Sequence, residues 1–169
     1  LDIQENGARR RLVYSGDLGR KQIPILNDPT HIPDADIMLL ESTYGNRVHD
    51  PIEIADNRLA EAVRAIYERK GKLIIPTFAL ERTQEILYCF HKLLKADRIP
   101  RLPIYVDSPL AIKATDIFRL HPECFDEEIL SLFDNHEDPF DFPELQVVRS
   151  KEESQRLNEE SGPMVIMSA

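Results

Sequence analysis

Glycine is scarce: six in 169 residues, with neither a GxGxxG fingerprint nor a P-loop among them. That weighs against a small nucleotide-binding α/β module, because such modules cradle phosphates on glycine-rich turns. Cysteine is scarcer still. Cys89 and Cys124 lie far apart and make no CxxC pair, which gives no disulfide framework and fits a reduced, cytoplasmic compartment. No apolar run reaches the ~18 residues of a membrane span, so no membrane partner is expected. The opening LDIQENGARRR lacks the apolar stretch of a secretory signal. The five histidines (His31, His49, His91, His121 and His136) form neither HxH nor HExxH. A self-sufficient zinc site needs three or four ligands at short reach, and this spacing does not supply them.

What is present suits one soluble domain, with room for part of a second. Hydrophobic residues are 42% and charged residues 30%, and the length is sufficient to bury a core. The net charge of −9 argues against a nucleic-acid partner when taken as a whole. It is unevenly placed, however. Residues 51–120 carry 12 basic against 9 acidic side chains, while residues 121–169 carry 3 against 13. The chain starts at Leu1 and stops inside the apolar run PMVIMSA, so it reads as an excised piece of a longer protein.

The first 45 residues read as strands and loops: a short strand at Leu12-Val13-Tyr14, a sharp SGDLG turn, a proline-rich loop over 21–35, and the run Ile37-Met38-Leu39-Leu40. Such a continuous run predicts a strand buried on both faces. Beyond residue 50, helices and strands alternate. Asp50 as N-cap, Pro51 at N1 and Glu53 at N3 predict a capping box, and Gly71 the stop of that helix. Ser108-Pro109, Asp126 and Ser150 with Glu153 mark three more helix starts. Strands are predicted near 73–75, 104–106, 145–148 and 164–167. This alternation with short connections predicts an α/β fold: a mainly parallel sheet with helices on both faces.

Ligands bind beyond the carboxyl ends of such strands. Here those ends carry Asp17, Glu41, Pro76-Thr77-Phe78, Asp107-Ser108 and Ser168-Ala169. Asp17 is either an aspartate bonding its own turn or a carboxylate aimed at a metal. Glu41 follows an apolar strand, where a charge must be paired, solvated or functional. It either accepts N–H groups of the STYG turn or serves a site. Thr77 and Arg82 lie at a strand-to-helix junction suited to holding a phosphate, with Arg82 one turn in. The alternative is that Arg82 pairs with Glu81 or Glu85. Ser108 is first an N-cap, and Cys89 flanks an apolar helical face as a core residue.

Five segments together, YSGDLGR, LLESTYGNRVH, LIIPTFALERTQEILY, IYVDSPLAIKATDIF and GPMVIMSA, resemble the β-CASP branch of the metallo-β-lactamase fold. Its members are mostly RNA-processing nucleases, and the chain looks most similar to prokaryotic relatives of the mRNA 3′-end cleavage factor. The match covers roughly residues 10–169. The resemblance implies that residues 1–45 are the C-terminal strands of a metallo-β-lactamase domain and that 46–169 are most of a β-CASP domain. It implies that Asp17 bridges two zinc ions, that Glu41 supports the metal site, and that Thr77, Phe78, Arg82, Ser108 and Ser168 face the RNA cleft. The family's HxHxDH motif and its later histidine motifs are absent from these residues. The resemblance thus implies a zinc-dependent ribonuclease as parent, with two zinc ions, and a piece that is itself inert and binds no zinc. RNA is the expected partner, and a homodimer of the parent is left open. The alternative is a non-catalytic scaffold paralogue that pairs with an active β-CASP nuclease; the intact Asp17 and Glu41 favour the enzyme.

Overall fold

The structure is a computed structural model and describes residues 1–168. Asn6 and Gly7 both take left-handed φ angles, 50° and 78°. A two-residue type I′ turn requires this at both central positions. The turn joins β1 (Asp2–Glu5) to β2 (Ala8–Tyr14) in an antiparallel hairpin. Sequence reasoning registered only the last three residues of β2, although Asn-Gly is the strongest short-range hairpin signal. β2 continues in parallel pairing with β3 (Ile37–Leu39), in the order β1-β2-β3.

The expectation for β3 is corrected in one respect. Ile37, Met38, Leu39 and Leu40 are each about half exposed (49–59%) rather than buried on both faces. Neither hydrophobic core of the described residues includes them. Ion pairs on the hairpin are likewise at the surface. Arg9 and Arg11 reach Asp2 at 2.6 and 3.0 Å and hold its carboxyl at about 2, below the usual carboxylate range.

The second sheet is wholly parallel. Its strands β4 (Lys72–Pro76), β5 (Ile104–Asp107), β6 (Leu145–Val147) and β7 (Met164–Ser168) lie in the order β4-β7-β5-β6. Side chains on β7 alternate between two covered faces, as a central parallel strand must. Val165 and Met167 enter the main core with α1 (Ile52–Glu68), α2 (Arg82–Lys95), α3 (Pro109–Leu120) and α4 (Glu127–Asp134). Met164 and Ile166 face a smaller core closed by Leu157 of α5 (Lys151–Glu159). Helices therefore cover both faces.

Three helix starts form as expected. The Ser108, Asp126 and Ser150 side chains accept the N–H groups of Ala111, Ile129 and Glu153. The fourth does not. Pro51 occupies the N-cap position of α1 without a side-chain cap, and Asp50 instead pairs with Arg58 at 2.9 Å. The Glu53 side chain, the other half of that predicted box, lies outside the described residues, as does Ala169. At the far end of α1 the left-handed residue is Lys70 (φ 52°), one before Gly71.

The proline-rich segment after the SGDLG turn is a strap that fastens the first sheet to the second unit. Ile25 is buried to 1% and adopts φ 84°, a genuine outlier for a β-branched residue. Two hydrogen bonds hold it there: its N–H donates to Asp126 Oδ2 at 3.0 Å, and its carbonyl accepts the Asp126 N–H at 2.8 Å. Leu26 bridges to Phe125, which sits in a cluster with Phe118, Phe133 and Phe140. No helix among the described residues is long and apolar enough to cross a membrane.

Candidate active-site cleft

Two sets of strand ends carry most of the residues singled out from sequence. In the first, β2 and β3 run on beyond their last ladder pair: the Ser15 N–H donates to the Leu39 carbonyl at 3.0 Å, and the Glu41 N–H donates to Ser15 Oγ at 3.0 Å. Asp17 and Glu41 therefore leave neighbouring strands side by side. Their states differ. Glu41 Oε2 accepts the Thr43 N–H at 3.1 Å, and bonds from the Thr43 hydroxyl and N–H hold the carboxyl below its ordinary range. It makes the local turn bond foreseen as one reading of that residue. Asp17 is exposed and has no side-chain hydrogen-bond partner among the described residues. The self-bonded turn reading does not hold for it.

Between these ends and the second unit lies a cleft of about 1150 Å³. One wall is the first unit, from Leu18 to Pro24 and from Glu41 to Pro51. The other is α1, the free edge of β4 and the start of α2. Of the seven residues singled out from sequence, Glu41 and Arg82 line it. Asp17 does not, nor do Thr77, Phe78, Ser108 and Ser168. The last four form a separate rim, one residue past Pro76, where the C-terminal ends of β4, β7 and β5 meet: Ser168 pairs with Pro76 on one side and Asp107 on the other, and the Thr77 N–H donates to the Ser168 carbonyl at 2.8 Å. On this rim Ser108 is buried in its capping role, Thr77 Oγ1 shares a 2.9 Å hydrogen bond with Thr83, and Phe78 is 82% exposed.

Arg82 is corrected in position. It is the first residue of α2, not one turn in, because Ala79–Glu81 form a turn whose last residue, Glu81, has φ 68°. The Thr83 hydroxyl and the Gln84 amide pin that turn by donating to the Phe78 and Ala79 carbonyls. Arg82 pairs with Glu85 at 2.8 Å, the plainer of its two sequence readings. The cleft is also less basic than the net charge of 51–120 suggests. Arg20, Arg58 and Arg82 face Glu41, Asp50, Asp56, Glu81 and Glu85 across its lining. Counting along the chain missed the carboxylates that folding places opposite those arginines.

Burial raises the Glu85 carboxyl above the ordinary value, with Arg82 acting against the rise. The folded chain thus binds more protons than the unfolded one just above the ordinary carboxylate range, and its stability falls as pH rises through that window. Glu85→Gln removes the buried charge at the loss of a pair whose Arg82 half is mostly exposed to solvent and screened. The thermal midpoint of the variant at pH 7 is expected to exceed wild type by about 2–4 °C, and the gain to vanish below about pH 4. A lower midpoint at pH 7 would show that the Arg82 pair outweighs the burial cost. On the same wall, burial pushes the Cys89 thiol up to about 12; Cys89 is half-buried and lines the cleft, belonging to neither described core, a correction to the core role expected of it. His91 is buried against Glu137 at 2.8 Å and serves structure.

Two zinc ions need a convergent donor set. Among the described residues no three His, Cys, Asp or Glu side chains come together to hold a metal. Asp17 offers one free carboxylate, and Glu41 is engaged with Thr43. These residues alone do not fit a two-zinc centre.

A family model described as the Beta-Casp domain matches residues 83–169. Ribonuclease TTHA0252 of Thermus thermophilus is 41% identical over 98% of this chain. Cleavage and polyadenylation specificity factor subunit 3 of Dictyostelium discoideum is 30% identical over 94%, and an RNase J-like protein of Methanocaldococcus jannaschii 29% over 94%. The chain spans 38%, 20% and 37% of the lengths of these three proteins.

Proposed function

We propose, from the premise that this chain belongs to the Beta-Casp family, that it forms one wall and the strand-end floor of an RNA-cleaving nuclease. The observation that carries the reading is the pairing of β2 with β3. It sets an unpartnered carboxylate, Asp17, beside Glu41, which lines a cleft of about 1150 Å³. A free, solvated aspartate beyond a strand end contributes nothing to folding, and strand ends of this kind are where open α/β sheets place ligands. The relatives' names, ribonuclease and cleavage factor, agree in pointing to RNA.

In this reading the chain's own residues divide the work. Asp17 is the one donor it gives to a pair of zinc ions, whose other donors come from outside these 169 residues. Glu41, fixed by Thr43, holds the neighbouring turn and presents a second negative charge to the site. Arg82, Thr77, Phe78, Ser108 and Ser168 flank the RNA route, with Phe78 exposed enough to stack on a base. The protein acts in the cytoplasm, and the 169 residues alone are inert.

The test is a cleavage assay on end-labelled single-stranded RNA. The full-length protein should cut it, and the 169-residue chain should not. Cleavage by the short chain that is lost on Asp17→Ala would refute its inertness. A full-length protein that binds but never cuts would replace the enzyme with the scaffold paralogue.

A further inference from the structure

Arg20 is a residue that sequence reasoning passed over. It lines the cleft and also a second cavity of about 480 Å³ on the other side of the strap. Ile23, Pro24 and Pro51 are shared between the two, so Arg20 stands in the partition.

Its electrostatic state sets it apart. Arg58 is paired with Asp50, Arg82 with Glu85, and Lys92 of the second cavity with Asp56 at 3.0 Å. Lys92 also sits 4.9 Å from the centre of the Tyr88 ring. Arg20 has no carboxylate within ion-pair distance among the described residues. Its guanidinium makes only two long 3.4 Å contacts to the Asp50 carbonyl. A second polar group, on the second cavity alone, is also unspent. The Tyr88 residue lines that cavity, and its buried hydroxyl has no hydrogen-bond partner among the described residues.

A guanidinium presents five donors in a rigid fork that matches a phosphate bidentately. Left unpaired at the junction of two cavities, on a strap held by Ile25 and Asp126, it is already placed to receive one. We propose that Arg20 contacts a backbone phosphate of the single-stranded RNA that enters the cleft. This rests on the ribonuclease reading above and adds a phosphate-binding residue to it.

The experiment is anisotropy of a labelled single-stranded RNA against the full-length protein over a salt series. Each phosphate contact on a single strand contributes about −0.7 to the slope of log affinity against log salt. Arg20→Ala should make the slope shallower by about that amount and weaken binding about tenfold at moderate salt. Arg20→Lys, which keeps the charge and loses the fork, should keep the slope and weaken binding less. An unchanged slope with a lowered thermal midpoint in Arg20→Ala would show that Arg20 only braces Asp50. That result would overturn the inference and leave the ribonuclease reading standing. Failure of the wild-type protein to bind RNA at all would overturn both.

Discussion

Alanine in place of Asp17 is expected to cut RNA cleavage by the full-length protein about 10²–10⁴-fold, the range for a side chain acting directly in the chemistry, while its thermal midpoint stays put. The second half of this expectation makes the first informative. Asp17 is exposed and bonded to no described side chain or backbone group, so its removal leaves no orphaned partner. Surface changes of this sort usually stay within about 0.5 kcal/mol. Glu41→Gln is the comparison, since it disturbs a carboxylate that does hold its own turn through Thr43. Cleavage rates and melting curves on the same preparations decide the matter. Near-wild-type cleavage by the Asp17 variant would remove it from the site.

Phe125→Ala is expected to give a large loss of stability. Phe125 is 2% exposed and stacks on Phe133 at 5.6 Å with the rings 9° apart. It also touches the rings of Phe118 and Phe140 at 6.4 and 6.3 Å. Truncating such a ring costs about 3–5 kcal/mol through lost transfer and the cavity left behind. For a chain of this size that is roughly 6–20 °C in the melting midpoint. The bridge from Phe125 to Leu26 adds to the effect, because the strap loses the surface on which it lies. A calorimetric midpoint within about 2 °C of wild type would mean that the cluster closes over the gap.

Features set by neighbours in sequence were readable. Ser108, Asp126 and Ser150 cap their helices because a cap needs only its own side chain and an N–H three residues on. The parallel sheet with helices on both faces followed from the alternation of periods. What was not readable depends on partners distant in the chain. The run 37–40 has the composition of a buried strand, but nothing in a linear pattern says whether a layer will cover it. The pairing of Arg82 with Glu85 was one of its two readings, but its place as the first residue of α2 was not, because the 79–81 turn delays the helix start. Arg20 went unnoticed for the complementary reason, since its lack of a carboxylate is visible only when every other cation of the cleft has found one. The Asn6-Gly7 turn, by contrast, was local and simply missed.

The order of strands in the parallel sheet bears on how the chain assembles as it is made. β7 lies between β4 and β5, so the two halves of the sheet are joined by the strand that comes last in chain order among the four described. Until Met164–Ser168 leave the ribosome, β4 has no partner among the described strands, and β5 with β6 is a two-strand ribbon of the kind that is marginal in water. Leu73, Ile75, Ile104 and Val106 lack Val165 and Met167 from their core through that interval. Closure then requires pairings roughly 60 and 90 residues apart in sequence, such as Ile104 with Val165 and Leu73 with Val165, which makes it a slow step exposed to aggregation. A nascent chain stalled before residue 164 is therefore a sticky, half-built sheet and a natural client for chaperones.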